Sequence, residues 1–292
     1  MQELDKFYTK REVAALCWEQ SVPLLQKITH KNVNNLFFIE PSAGQGDFYD
    51  LLPGKAHRKI GIDLASLRPD FIKTDFLNWD YKTQRLPRSS SRTTVVIGNP
   101  PFGHRGQVAV KFINKAATIA DTIAFIVPVI FRKYFIHKLI NEDLQWIYAE
   151  DLPRGAFYTD KKQTYEVNTE FQVWTRLKSS YKNKRLYEPP PIKHDDFIMH
   201  QYNNTKQALK VFNNDFDFAV PSQGWQDYTR RETKEAKCEK HKQWMLFKAP
   251  NQTIFERLYK GINYKTLAMK NVTSIPGFRK GDVVKEYTCK YG

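Results

Sequence analysis

The sequence predicts an α/β protein with a doubly wound, mostly parallel sheet, followed by a small basic C-terminal region. Short apolar runs alternate with segments of helical spacing, which is typical of parallel βαβ units. These runs are apolar throughout rather than alternating, which indicates a sheet covered on both faces. With 292 residues and 41% hydrophobic content, the chain can form one large domain, or a medium domain and a small one.

The apolar pattern places the elements in order. A first helix is expected over residues 12–28, and Pro23 should divide it into two pieces. A second helix is expected over residues 109–119. The predicted strands cover residues 36–40, 59–63, 71–75, 94–97, 122–128 and 171–174.

The alternating pattern fades after Leu177. Residues 179–191 are polar and then proline-rich, and such a stretch resists regular structure. We therefore predict one domain over residues 1–178, a linker over 179–191 and a second region over 192–292.

The net charge of the chain is +15, and it is unevenly distributed. Residues 178–292 hold 22 Lys and Arg against 12 Asp and Glu, a net of +10, whereas residues 1–177 carry a net of +5. Such a field favours a polyanionic partner, most simply nucleic acid, through phosphate neutralisation. In residues 225–242 aromatic and basic residues are mixed, as for base stacking and phosphate contact, although the aromatics could equally form a small core.

Other sequence features bear on location. The chain has no apolar run of about 18 residues, so we expect no membrane span, and its first residues do not resemble a secretory signal. Cys17, Cys238 and Cys289 are scattered without metal-ligand spacing, so no metal site is expected. A reducing, cytoplasmic setting fits these features best. We expect a monomer.

The most informative segment is Asn99-Pro100-Pro101-Phe102, which directly follows the apolar run 94–98. The Asn99 amide and the Pro100 carbonyl offer two acceptors to one exocyclic amine, and the ring of Phe102 offers a stacking platform for the base that carries it. Two acceptors and a stacking ring are the groups needed to methylate an amino nitrogen on a planar heterocycle. Asn-Pro-Pro is also a common turn sequence, and Phe102 could belong to the core.

Three other predicted strand ends carry polar residues or glycines. The first strand runs into a loop whose Gly44 and Gly46 permit a tight turn at the ligand-binding edge of an open α/β sheet. Asp63 ends the second strand and could accept both ribose hydroxyls of a nucleoside cofactor, or it could cap a helix. Asp75 and Phe76 follow the third strand and could contact an adenine amine and ring. Together these strand ends predict a nucleoside-cofactor cleft beside a site for an amine.

In these motifs the chain resembles the S-adenosylmethionine-dependent amino methyltransferases, in particular the adenine-N6 DNA methyltransferases with the gamma-type motif order. The resemblance covers about residues 6–177 and implies a Rossmann-like class I methyltransferase fold with S-adenosylmethionine as cofactor. The tetrapeptide matches the family's catalytic motif, which assigns catalytic roles to Asn99, Pro100 and Phe102. The resemblance implies cofactor contacts from Phe7, Thr9, Glu40, Ser42, Ala43, Gly44, Gly46, Asp63, Asp75 and Phe76.

The resemblance further implies that the target base is flipped out of the helix and stacked on aromatic rings. Phe102 is the first such ring, and Phe157, or alternatively Tyr158, is the second. Residues 127–128 and 151–158 fit later and weaker motifs of the family. The expected partner is therefore DNA, with transfer of a methyl group to the N6 amine of adenine.

Other functions stay open from the sequence. An RNA base methyltransferase would use a similar motif, and so would a protein-glutamine methyltransferase, although the basic C-terminal region argues against the latter. A nucleic-acid-binding module with a degenerate cofactor fold is disfavoured by the intact Gly44, Gly46, Asp63 and Asn99. A DNA methyltransferase could act beside a cognate nuclease in a restriction-modification system, or it could be an orphan enzyme without such a nuclease.

Overall fold

The computed structural model describes residues 7–54, 58–65, 68–83, 92–159, 161, 163–270 and 275–292. By its contacts the chain separates into two compact units, Met1–Tyr187 and Glu188–Gly292. The boundary falls inside the range 179–191 that we predict as a linker. The preceding residues belong to the first unit, because Lys184 N donates a 2.7 Å hydrogen bond to Trp146 O.

The first unit contains ten strands and three helices among its described residues. The strands are β1 (Phe7–Thr9), β2 (Phe37–Glu40), β3 (Lys59–Asp63), β4 (Phe71–Lys73), β5 (Thr94–Gly98), β6 (Thr122–Pro128), β7 (Gln145–Asp151), β8 (Phe157–Thr159), β9 (Thr164–Tyr165) and β10 (Thr169–Thr175). The helices are α1 (Arg11–Thr29), α2 (Gln107–Ala117) and α3 (Tyr134–His137).

Seven strands form the central sheet, in the order β4-β3-β2-β5-β6-β10-β7. The pairs from β4 to β6 are parallel, and β10 is antiparallel to both β6 and β7. The predicted doubly wound, mostly parallel sheet is confirmed. Residues 171–174 were expected to form a strand, and the structure adds that this strand, β10, lies between β6 and the unpredicted edge strand β7.

Two apolar layers cover the sheet. One face packs against α2 through residues that include Ala109, Ile113 and Ala116, and the other packs against α1 through Val13, Cys17 and others. Strands β2, β5 and β6 are buried along their whole length. The continuous apolar runs therefore correspond to a sheet covered on both faces.

The prediction that Pro23 divides the first helix was wrong. Helix α1 runs unbroken from Arg11 to Thr29 with Pro23 inside it. Proline costs about 3 kcal/mol in a helix interior. Burial of Leu24, Leu25 and Ile28 beyond the proline offsets this cost, because the helix must continue to cover the sheet.

A small antiparallel sheet of order β1-β8-β9 lies in the same unit and was not predicted. Phe7 pairs with Thr159 and Thr9 with Phe157, so the N-terminal segment is bound to the segment after β7. Local patterning could not show this sheet, because its strands are two or three residues long and β1 lies about 150 residues before β8.

The second unit is built on the antiparallel sheet β11-β13-β12. Its strands are β11 (Ile198–Tyr202), β12 (Phe218–Gln223) and β13 (Gln243–Lys248), and its helices are α4 (Gln252–Tyr259), α5 (Tyr264–Met269) and α6 (Lys280–Tyr291). Aromatic residues form much of its core, including Phe218, Phe247, Tyr264 and Tyr287. Most aromatics of the basic region are therefore structural. No helix among the described residues combines the length and apolar character needed to cross a membrane.

Candidate active site

The order of the strands creates a switch point in the central sheet. From β2 the chain moves outward to β3 and β4, and it then returns to place β5 on the other side of β2. Ligands of open α/β sheets bind at such a switch point, outside the carboxyl ends of the strands. Here the segments after β2 and β5 are Pro41–Gly46 and Asn99–Phe102, which contain the two predicted motifs.

The glycine-rich loop after β2 needs its glycines. Gly44 has φ +52° and Gly46 has φ +95°, conformations that favour glycine. A Cβ on Gly44 would also lie 3.1 Å from the ring of Tyr8, which comes from β1. The loop is tied to the sheet, since Ala43 N donates a 2.9 Å hydrogen bond to Ile62 O. The backbone can therefore approach a ligand closely at this edge.

Asp63 ends β3 beside this loop. Its Oδ2 accepts a 2.8 Å hydrogen bond from Gly44 N, and its Oδ1 accepts a 2.8 Å bond from Ala65 N. An ionised carboxylate has about four acceptor positions, so two stay available for ribose hydroxyls. In the described residues no helix begins at Asp63, and its carboxylate instead holds the glycine-rich loop through Gly44 N.

Asp75 and Phe76 differ in how far their side chains are buried. The carboxylate of Asp75 accepts from Leu77 N at 2.9 Å and from the side chain of Asn78 at 2.6 Å, and it stays half-buried. Phe76 is only 1% exposed and packs against Phe112, with 5.3 Å between ring centroids. The predicted contact of Phe76 with a cofactor adenine is not supported, because its ring is enclosed in the core.

Asn99 is the first residue after β5, and its amide oxygen has an unusual environment. Its Oδ1 atom is buried and finds no hydrogen-bond donor in the part of the chain that the structure describes. Its backbone carbonyl, in contrast, accepts a 2.8 Å bond from Ser42 Oγ. A buried unpaired amide oxygen costs free energy, about 1–3 kcal/mol. The backbone of Asn99 is thus held in place while its side-chain acceptor is left for another group.

Glu40 ends β2, the strand next to β5, and carries a second unpaired acceptor. The residue is 2% exposed, and no described donor reaches its Oε2. Burial is the largest cause that raises the pKa of Glu40 well above its usual range, and nearby Asp47 and Asp50 raise it further. A Cβ on Gly98 would lie 3.1 Å from Glu40 Cγ, so glycine at position 98 makes room for this carboxyl group. Two buried acceptors therefore lie at the carboxyl ends of adjacent strands at the switch point.

The aromatic residues near the tetrapeptide have separate roles. Phe102 is half-buried and meets Phe157 edge to face, with 6.1 Å between centroids. Phe157 is 0% exposed. The prediction that Phe157 stacks on a flipped base is therefore corrected: a ring with no accessible face cannot receive a base, and Phe157 supports Phe102 instead.

Residues of β1 and Tyr158 contact the glycine-rich loop. Tyr158 stacks on Tyr8 at 5.5 Å, and its hydroxyl bonds to Gln45 Oε1 at 3.2 Å. Phe7 stacks on Tyr165 at 3.6 Å, and Thr9 is buried. Tyr158 is half-buried, and these contacts favour a role in holding the loop over the predicted stacking role.

The sequence interpretation missed a charged cluster at the same edge of the sheet. Arg132, after β6, donates through Nε to the buried carboxylate of Glu170 at 2.6 Å and through Nη2 to Asp151. These three residues border a cavity of about 310 Å³ that Lys184 and Trp146 also line. A signal was present in the sequence, because Glu170 is an acidic residue directly before the segment 171–174 that we predict as a strand.

Among the described residues, no group of three or more His, Cys, Asp or Glu side chains is arranged to hold a metal ion. Cys17 and Cys238 are buried as free thiols, and Cys289 is exposed.

No family model matches the chain, and no curated protein sequence matches it. Among solved structures it is similar to a Pyrococcus horikoshii protein provisionally assigned as an RNA methyltransferase (TM-score 0.44, 15% identity, 60% of this chain and 89% of that one). It is also similar to a Listeria monocytogenes protein provisionally assigned as a class I S-adenosylmethionine-dependent methyltransferase (TM-score 0.44, 13% identity, 65% of this chain and 66% of that one). A third is the Type IIL restriction-modification enzyme MmeI in complex with DNA (TM-score 0.39, 13% identity, 73% of this chain and 42% of that one). Similarities this distant carry no argument about function, which rests on the geometry of the switch point.

Proposed function

We propose that this protein is a methyltransferase that uses S-adenosylmethionine to methylate the N6 amine of adenine in DNA. One observation carries the proposal. The side-chain oxygen of Asn99 is buried at the switch point of the sheet, directly after β5, and none of the described residues donates a hydrogen bond to it. An acceptor kept unpaired at a ligand-binding edge fits an amine that arrives with the substrate.

The residues of the tetrapeptide would act on that amine. The lone pair of an adenine amino group is delocalised into the ring, so the nitrogen is a poor nucleophile. Hydrogen bonds from its two N–H groups to Asn99 Oδ1 and the Pro100 carbonyl would favour a tetrahedral nitrogen and localise the lone pair. Phe102 would hold the base by stacking. Fixed acceptors of this kind act by positioning and electrostatic stabilisation.

The other motif residues fit the cofactor. S-adenosylmethionine supplies an electrophilic methyl group on its sulfonium sulfur. The loop through Ala43, Gly44 and Gly46 would lie against the cofactor, and Asp63 would bind its ribose hydroxyls with the two acceptor positions that remain. The unpaired Oε2 of Glu40 fits the ammonium group of the methionine part, because a cation there would compensate a buried carboxylate. Asp75 would bind the adenine amine.

DNA is proposed as the substrate on charge and on the motif resemblance. Residues 188–292 carry 18 Lys and Arg against 12 Asp and Glu, a net of +6, and residues 178–187 add four more cations. Phosphate neutralisation by such a surface favours a nucleic acid over a protein substrate. RNA, which carries the same phosphate charge, is the main competing substrate and is compared directly in the test.

The test is methyl transfer from labelled S-adenosylmethionine to duplex DNA, single-stranded DNA and RNA, each digested to nucleosides for mass spectrometry. We expect N6-methyladenine in DNA. Asn99→Ala should lower transfer by about 10²-fold or more while calorimetry still detects cofactor binding. Asn35→Ala, an exposed residue before β2, is the matched control and should behave as wild type.

Label found only in RNA would replace DNA by RNA as the substrate. Cofactor binding without transfer to any nucleic acid would point to a protein substrate. Absence of cofactor binding in the wild type would exclude the methyltransferase function altogether.

A further inference from the structure

The second unit presents one tryptophan almost entirely to solvent. Trp225 is 75% exposed, whereas Trp244 of the same unit is fully buried. The large aromatics Phe218, Phe247 and Tyr287 are buried as well. Trp225 is therefore an exception in a unit whose core otherwise uses its aromatic residues.

The loop that carries Trp225 is held firmly. It follows β12, and Gly224 N donates a 2.9 Å hydrogen bond to Pro276 O. The hydroxyl of Tyr228, whose ring is buried in the core, donates a 2.6 Å bond to Gly224 O. Hydrogen bonds thus fix the backbone that carries the exposed ring, so little backbone entropy would be lost if a ligand stacked on the ring.

Basic side chains border this loop. Phe278 N bonds to Ser222 O, so the segment before α6 adjoins the end of β12, from which the Trp225 loop leaves. Gly277 N bonds to Ala268 O, so α5 in turn adjoins that segment. The exposed cations on these two segments are Lys265, Lys270 and Arg279.

Several cations of the unit are held in ion pairs, and in the described part of the chain these three are not. Within residues 188–270 and 275–292, ion pairs engage Arg230, Lys240, Lys242, Lys248, Lys260 and Lys290. None of the described carboxylates comes within ion-pair distance of Lys265, Lys270 or Arg279. The nearby carboxylate of Asp227 accepts bonds from Thr229 N and Oγ1, although it still attracts Lys265 electrostatically.

An exposed aromatic face beside unpaired cations is the combination that binds single-stranded nucleic acid. Every base has a face that can stack on a tryptophan, and the cations neutralise the phosphates. An unpaired base suits this ring better than a duplex does, because insertion into a duplex would first require unstacking of a base step.

We infer that Trp225 stacks on an unpaired base of a DNA strand whose phosphates are bound by Lys265, Lys270 and Arg279. The choice of DNA rests on the proposed function, but this binding surface does not involve Asn99 or the cofactor residues. Its role is to hold a single-stranded segment of the substrate.

The experiment measures binding of a fluorescent oligodeoxythymidylate to the full-length protein by anisotropy, without cofactor. This probe contains no adenine, so it does not present the amine that the proposed catalytic site would bind. Trp225→Ala should weaken binding on the order of tenfold, and Trp225→Phe should recover most of the loss because its ring still stacks. Ile198→Ala, which truncates another exposed apolar side chain of the unit, should leave binding unchanged.

Two further readouts separate stacking from a change in structure. Oligodeoxythymidylate should quench the tryptophan emission of the wild type, and this quenching should be largely lost in Trp225→Phe even though the oligonucleotide still binds. Lys265→Gln should reduce the slope of log affinity against log salt by roughly 0.7, the value for one phosphate contact on a single strand, whereas Lys206→Gln should not.

The inference is overturned if wild-type protein does not bind the probe or if Trp225→Ala binds it as tightly as wild type. It is also overturned if the Trp225→Ala effect appears with oligouridylate or duplex DNA and not with oligodeoxythymidylate. Methyl transfer by the wild-type protein is measured separately. If Trp225→Ala loses binding of the oligonucleotide and the wild-type protein transfers no methyl group, the result supports this binding surface and rejects the proposed function.

Discussion

The hydroxyl of Ser42 donates a 2.8 Å hydrogen bond to the backbone carbonyl of Asn99. The two residues are 57 positions apart in the sequence, and they belong to the two loops that flank the switch point of the sheet. This bond joins the glycine-rich loop to the tetrapeptide. It therefore couples the position of the proposed cofactor loop to that of the proposed amine acceptor.

Removal of this bond should impair turnover without unfolding the protein. We expect Ser42→Ala to lower kcat/KM by about fivefold, because one hydrogen bond of this kind contributes about 1 kcal/mol. Steady-state methyl transfer measures the effect. Ser179→Ala, which removes a hydroxyl bonded to Tyr181 N at the opposite edge of the sheet, is the control. Equal activity of both variants would argue against the coupling.

Glu40→Gln should change stability and cofactor binding in opposite directions. Burial raises the pKa of Glu40 in the folded protein, so its contribution to stability is full below about pH 4.3, the value for an unfolded glutamate, and is lost as the pH rises toward the raised value. Glutamine does not ionise. The variant should therefore lose less thermal stability than wild type between pH 5 and pH 8, measured by the midpoint of thermal unfolding.

The same variant should bind S-adenosylmethionine more weakly by calorimetry, because the amide cannot compensate an ammonium group. Wild-type affinity in Glu40→Gln would remove Glu40 from the cofactor site. Parallel stability curves for the two proteins would contradict the raised pKa that burial gives this carboxyl group.

His137 should make the protein sensitive to acid. Its Nδ1 accepts a 2.9 Å bond from Leu186 N, so Nε2 carries the proton and donates to Phe131 O at 2.6 Å. Burial, with Arg185 nearby, lowers the pKa of His137 to about 4. Stability from the neutral ring is full above about pH 6.5 and is lost as the pH falls toward 4.

The unfolding midpoint should therefore fall between pH 6.5 and 4, and His137→Gln should show a shallower decline from a lower starting value. The exposed His30, changed to Asn, serves as the control and should keep the wild-type slope. An unchanged slope in His137→Gln would show that another group governs acid sensitivity.

Arg132 should be essential for stability, because it pairs with the carboxylate of Glu170, whose side chain is 1% exposed. Arg132→Met leaves that charge buried and unpaired, at a cost of about 3 kcal/mol. Urea denaturation measures the loss. The double change Arg132→Met with Glu170→Gln should recover part of it, since the buried charge is gone. Failure of the double variant to recover would indicate that Arg132 acts mainly through Asp151.

Several features of the fold were predictable from the sequence because they depend on local patterning. Buried parallel strands are continuously apolar, so β2, β3, β5 and β6 were located to within a residue or so. Helix α1 was located as well, but its continuity through Pro23 was not, because tertiary packing overrides a local helix breaker. The antiparallel position of β10 between β6 and β7 was not predictable either, because it depends on strands that are distant along the chain.

The features of the candidate site also divide into those that the sequence predicts and those that only the tertiary structure shows. The sequence by itself determined which residue types follow each strand: the glycine loop, Asp63, Asp75 and the tetrapeptide at Asn99. Only the tertiary structure decided which of the aromatic residues have an accessible face, enclosing Phe76 and Phe157 and leaving Phe102 half-buried. It also decided that Glu40 Oε2 and Asn99 Oδ1 lie buried with no hydrogen-bond partner among the described residues, because burial and hydrogen bonding depend on contacts between segments that are distant in sequence.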